Sequence, residues 1–187
     1  MNIPINSASH VVFMGTNMKV LLFLRVVFCF FALFLSRLFP EALVLWFAEK
    51  AAKITALILF LDPPTLAKEG AYLDVFSPSG VLVNSSCSGV LFFSILTASV
   101  FWILSERCRS YPALIPTFAA SIALSIPLSI LANALRISVA IFILNFTRGF
   151  MDERFAPALH MFAGGVVFFS FLLFITLTLN FGYVKKN

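Results

Sequence analysis

Three side chains of this sequence have the types that acyl transfer needs: the thiol of Cys87, the guanidinium of Arg136 and the imidazole of His160. A thiol serves as nucleophile. An imidazole takes its proton and later returns one to a departing amine, and a cation meets the charge that gathers on the tetrahedral oxygen. Each of the three stands at a polar interruption of an apolar chain. Cys87 lies in NSSCSGV (84–90), Arg136 in ANALRISVA (132–140), and His160 opens the last apolar run.

Taken singly, each has a plainer reading. Ser85, Ser86 and Ser88 suffice to cap a helix while Cys87 fills space as a small hydrophobe. Arg136 can reach lipid headgroups by snorkelling, and a lone His is commonly an interfacial hydrogen-bonder. Chemistry is favoured by the coincidence of three predicted spans that bring all three residues to one membrane face. A helix beginning just after Cys87 also directs unpaired N–H groups and a positive dipole end at the thiol. Asn133, three residues before Arg136, shares its helix face. His10, the other histidine, has no such company. Paired histidines, Cys-x-x-Cys, HExxH and a Gly-rich phosphate loop are all missing, so no metal or cofactor is expected. Gly164-Gly165 reads as close helix packing.

The elements that must position these residues are membrane helices. Of 187 residues, 61% are hydrophobic, 24 are Phe and 11% are charged, against about half apolar and a quarter charged in soluble proteins. The length suits one domain, 1–187. Its formal charge of +5 is scattered beside apolar runs rather than gathered on one face, which excludes a nucleic-acid surface and marks the basic residues as topology signals. Cys29, Cys87 and Cys108 give no disulfide framework, because Cys87 and Cys108 fall at opposite ends of one predicted helix, about 30 Å apart.

Apolar runs at 19–39, 42–61, 88–104 and 158–180 have spanning length, and 113–146 reads as one span with an overhang, kinked at Pro116 and Pro127. The expected fold is an all-α integral membrane bundle of about five to six membrane helices. In it Asn133 and Arg136 close a span at the far face, and 137–146 is a half-helix or interfacial segment. The first run lacks a cleavage pattern and stays as a span. Glu49, Lys50 and Lys53 leave open whether 41–61 crosses or lies along the interface, Glu49 and Lys53 having i,i+4 spacing. Basic residues assign Arg37, the 105–112 loop with Arg107 and Arg109, and Lys185 and Lys186 to the cytoplasm. The 62–86 and 147–157 loops and the N-terminus then face outward. Within 62–86, AYLDVF, SPSG and VLVNSS read as a hairpin that delivers Cys87 to the membrane surface. Residues 1–61 supply N-terminal helices, and 62–180 form the core that carries the candidate site.

The order and spacing of Cys87-Ser88-Gly89 opening one helix, Asn133-x-x-Arg136 closing another and His160 opening the last resembles the exosortase and archaeosortase family. These are integral-membrane cysteine enzymes, and the likeness covers roughly residues 60–180. The resemblance implies a transpeptidase-like protease of the cell membrane, with its site on the extracytoplasmic side and no cofactor. Cys87 would be the nucleophile, Arg136 the substrate or oxyanion partner and His160 the acid/base, with Asn133, Ser86, Ser88 and Gly89 in support. The partners implied are the lipid bilayer and membrane-anchored substrates that carry a C-terminal sorting signal: a short motif, a transmembrane helix and a basic cluster. A membrane cysteine protease that releases its product to water would use the same residues, and a non-enzymatic helical subunit of a transporter or assembly factor would need none of them.

Overall fold

The computed structural model describes residues 7–75, 80–108, 110–147 and 156–184; the side chains of 7–17, 86, 144, 147, 156, 157, 159, 160 and 180–184 lie outside that description. The hairpin turn at 76–79, Arg109, most of the 147–157 loop, and Lys185 and Lys186 fall outside it as well.

Five α-helices and a small sheet follow one another in the order α1 (Ser7–Leu38), α2 (Glu41–Leu59), β1 (Thr65–Ala67), β2 (Gly70–Leu73), β3 (Val81–Asn84), α3 (Val90–Ser105), α4 (Leu114–Thr147) and α5 (Ala156–Val184). Three of the helices carry segments long and apolar enough to cross a bilayer: Met18–Leu38, Tyr111–Ile143 and Met161–Leu179. The expectation of a helical membrane bundle is met, with three such segments among the described residues, and the count of five to six membrane helices is not confirmed. At 16 residues α3 spans about 24 Å, less than the roughly 30 Å of a hydrocarbon layer. In α2 the charges Glu41, Glu49, Lys50 and Lys53 break the apolar run. Lys53 Nζ donates to Glu49 Oε1 at 2.6 Å, and this hydrogen bond holds the Glu49 carboxyl below its ordinary range.

Between Pro40 and its C-terminus, α2 buries a face of Ala48, Ala51, Ala52, Thr55 and Ala56. Small side chains let it lie close to α4, where Thr55 Oγ1 donates to the Ala134 carbonyl at 3.2 Å. The helix ends at Phe60, which takes a left-handed backbone (φ 54°) with its side chain almost fully exposed. The sheet follows. It is antiparallel in the order β1-β2-β3, with Ala71 opposite Val83 and Leu73 opposite Val81. Alternation sends Ala71, Leu73 and Val83 inward, where they share a core with Phe47 and Ala51 of α2 and Val90 and Phe93 of α3. The expected hairpin is therefore the second half of a three-stranded sheet.

α3 is apolar all round and is packed on three sides. Phe101 meets Phe28 of α1 and Phe118 of α4 at 5.4 and 5.3 Å, and Phe92 meets Phe168 of α5 at 4.2 Å. The pairing of α1 with α3 is antiparallel: the Ser36 N–H donates to Ser94 Oγ at 2.9 Å, and Arg25 Nη2 donates to the Cys108 carbonyl at 3.1 Å. The end of α1 that carries Arg37 thus lies toward the start of α3, and Arg25 lies at the opposite, Cys108 end. The sequence reading that placed Arg37 on the same side as the 105–112 loop is corrected by these two contacts. That reading left open whether 41–61 crosses or lies along the interface; α2 packs against α4, the sheet and the first turns of α3.

α4 runs unbroken past Pro127 to Thr147, so 137–146 is a continuation of the helix and not a separate half-helix. Several of its hydroxyls turn back onto its own carbonyls, as in Ser121 to Thr117, Ser129 to Ile126 and Ser138 to Ala134, which satisfies them without water, whereas Ser125 Oγ is buried with no partner among the described residues.

Candidate active site

β3 runs directly into one 3₁₀ turn, Ser85–Cys87, closed by the Ser88 N–H donating to the Ser85 carbonyl at 3.2 Å. The N-cap of α3 is Gly89, with φ 75° and ψ 9° and no side-chain oxygen to offer. The N-cap position is thus taken by Gly89 and not by Ser85 or Ser88. Ser88 Oγ accepts from the Val90 N–H at 3.4 Å, Ser85 is exposed, and the side chain of Ser86 lies outside the described residues. Two constraints fix glycine at 89. The left-handed backbone is one, and a Cβ there would stand 2.9 Å from Cβ and Cγ of Asn133. Cys87 is half-buried, and its thiol, like those of Cys29 and Cys108, is in no disulfide.

Asn133 is fully buried, and its Nδ2 donates to the carbonyl of Cys87. Among the described residues its Oδ1 is buried without a hydrogen-bond partner. A span motif on α4 and the turn that carries the thiol are thus tied together across 46 residues of chain. Three residues on, Arg136 leaves the same helix toward α5. Its Cζ lies 5.4 Å from the centroid of the Phe168 ring, within cation–π reach. Phe168 in turn stacks on Phe92 with the planes 5° apart.

Arg136, Ser85, Ser88 and Gly89 line one end of a cleft of about 570 Å³, and Ile95 and Leu172 are among its apolar walls. The cleft has the make-up of a ligand site: mostly apolar walls with a few convergent polar groups. Arg136 does not close its helix, however. Eleven more residues carry α4 on to Thr147, about 16 Å further, so the arginine is set in from the end of the bundle.

The third candidate, His160, is in the first turns of α5, one turn before Gly164. Its side chain lies outside the described residues, so the structure brings together Cys87, Ser88, Gly89, Asn133 and Arg136, and for His160 it gives the helix position alone. A family model described as transmembrane exosortase (Exosortase_EpsH) matches residues 3–177, nearly the whole chain. The chain belongs to the transmembrane exosortase family. Neither the curated proteins nor the solved structures compared with it give a match. The family match extends beyond 60–180 to α1 and α2, so in this exosortase the N-terminal helices belong to the family fold.

Two residues of the site escaped the sequence reading. Gly164 does not serve close packing of helix backbones; a Cβ on it would stand 2.7 Å from Nε of Arg136, whereas Gly165 faces open space. Phe168 is one of 24 phenylalanines. The signal that was available is spacing, because 160, 164, 168 and 172 recur every fourth residue and so share one face of α5.

Proposed function

We propose that this exosortase-family chain is a membrane-embedded cysteine transpeptidase that cleaves a C-terminal sorting signal from surface or secreted proteins at the extracytoplasmic face of the cell membrane. The observation that carries the proposal is the tie from Asn133 to the Cys87 carbonyl, which fixes the thiol-bearing turn to the helix face that presents Arg136. A nucleophile anchored by its main chain to the helix face that also carries a cation is an arrangement that acyl transfer can use.

In the proposed cycle His160 takes the proton of the Cys87 thiol, and the sulfur attacks the scissile carbonyl carbon. Arg136 neutralises the oxyanion or holds the substrate backbone. Collapse breaks the C–N bond as His160 returns the proton to the departing amine, leaving a thioester on Cys87. An acceptor amine then attacks the thioester carbonyl and loses a proton through His160, and the thiol is restored. Were water the second nucleophile, the same residues would perform hydrolysis, and the mass of the new C-terminus separates the two.

The test is processing of a membrane-anchored substrate in cells that carry each variant at matched levels. Cys87→Ala abolishes processing while the protein remains inserted, and His160→Ala loses several orders of magnitude. The double variant is about as impaired as the worse single one, since the two act as a unit. Normal processing by Cys87→Ala would refute the proposal.

A further inference from the structure

We infer that Gly164 and Phe168 are positioning residues that seat Arg136: the glycine is a notch that admits the side chain to α5, and the ring is a platform beneath its guanidinium. Resting on the proposed role of Arg136, the inference adds residues that no sequence motif assigned. Both stand one turn apart on one face of α5. A side chain at 164 would begin 2.7 Å from Nε of Arg136, closer than unbonded atoms approach, and 3.2 Å from Cδ, a tight contact, so the arginine would have to shift. Cζ of Arg136 lies over the ring of Phe168, 5.4 Å from its centroid, and that ring stacks on Phe92 at 4.2 Å. A ring that holds the cation through its π face takes up none of the N–H donors of the planar fork, which are what a carbonyl or carboxylate meets. Arg136, Phe168 and Phe92 also lie together along the cleft. A guanidinium seated in this way keeps one orientation before substrate arrives, so less rotamer entropy is lost on binding.

Gly164 and Gly165 provide matched variants. Gly→Ala at either position raises helix propensity by the same amount, and only position 164 meets Arg136. Gly164→Ala should slow substrate processing roughly tenfold, and Gly165→Ala should leave it unchanged. Phe168→Leu should slow it to a similar degree, with Phe168→Trp restoring most of the rate through a better cation–π face. An activity-independent readout is modification of Arg136 by phenylglyoxal in the detergent-solubilised chain, followed by peptide mass spectrometry. The reaction should quicken several-fold in Gly164→Ala and Phe168→Leu and stay at the parent rate in Gly165→Ala and in Phe174→Leu, an exposed position on α5. Equal effects at 164 and 165, or an unchanged Arg136 reaction in Phe168→Leu, would overturn the inference. Because the chemical readout requires no turnover, it decides the seating of Arg136 even where Cys87→Ala processes substrate and the enzymatic reading falls.

Discussion

Asn133 is the residue on which the site depends most directly, and it shows what a single buried amide can do. Its Nδ2 satisfies a main-chain carbonyl, whereas its Oδ1 is buried with no partner among the described residues. Removing the donor leaves the Cys87 carbonyl exposed to that loss, but removing the whole amide also relieves the orphaned oxygen. Asn133→Leu, close in shape, should therefore cost roughly 1–3 kcal/mol. Asn133→Asp should cost more at neutral pH, because an ionised carboxylate has no proton to donate and would be buried. Thermal unfolding of the two purified variants in detergent checks the order, and Asp proving milder than Leu would mean that Asn133 is held by packing alone. At this scale much was legible: Asn133, Arg136 and Cys87 stand out as polar groups inside apolar runs, where each needs a reason. Gly164 and Phe168 do not stand out, since a small residue and an aromatic in an apolar helix look the same whether they pack lipid, helix or guanidinium.

Among the elements, α2 shows where sequence reading stops. Its length and apolar content suit a span, while Glu49 and Lys53 suit an interface, and hydropathy cannot weigh one against the other. The structure adds a face of alanines laid against α4 and the sheet, a long-range contact that local pattern does not encode. The same element stores strain at its end. Phe60 holds φ at 54° with its side chain 97% exposed, so the ring contributes no internal packing to offset the left-handed backbone. Phe60→Gly should raise stability by roughly 1 kcal/mol. A melting temperature that falls in detergent would show that the ring is held by something outside the chain.

For the molecule as a whole, the direction of α1 was the feature of topology least accessible to charge counting, because Arg37 is basic wherever it lies. The bonds from Ser36 to Ser94 and from Arg25 to Cys108 orient α1 against α3, and with α2 kept beside the sheet they place Arg37 with Cys87. Single cysteines in a background lacking Cys29, Cys87 and Cys108 test this. Arg37→Cys and Lys68→Cys should react with an impermeant maleimide from one side of the membrane, and Glu106→Cys from the other. Arg37→Cys reacting together with Glu106→Cys would restore the arrangement drawn from charge and overturn the packing described for α1.

The tie from Asn133 ends on the carbonyl of residue 87 and not on its sulfur. Any amino acid at that position presents the same oxygen, so the turn can lose its nucleophile and keep its anchorage. On the proposed function, a chain with alanine at 87 should therefore act as a substrate trap: it would bind the uncleaved protein in the geometry of the reactive complex, arrest it there, and allow the two to be cross-linked and identified together.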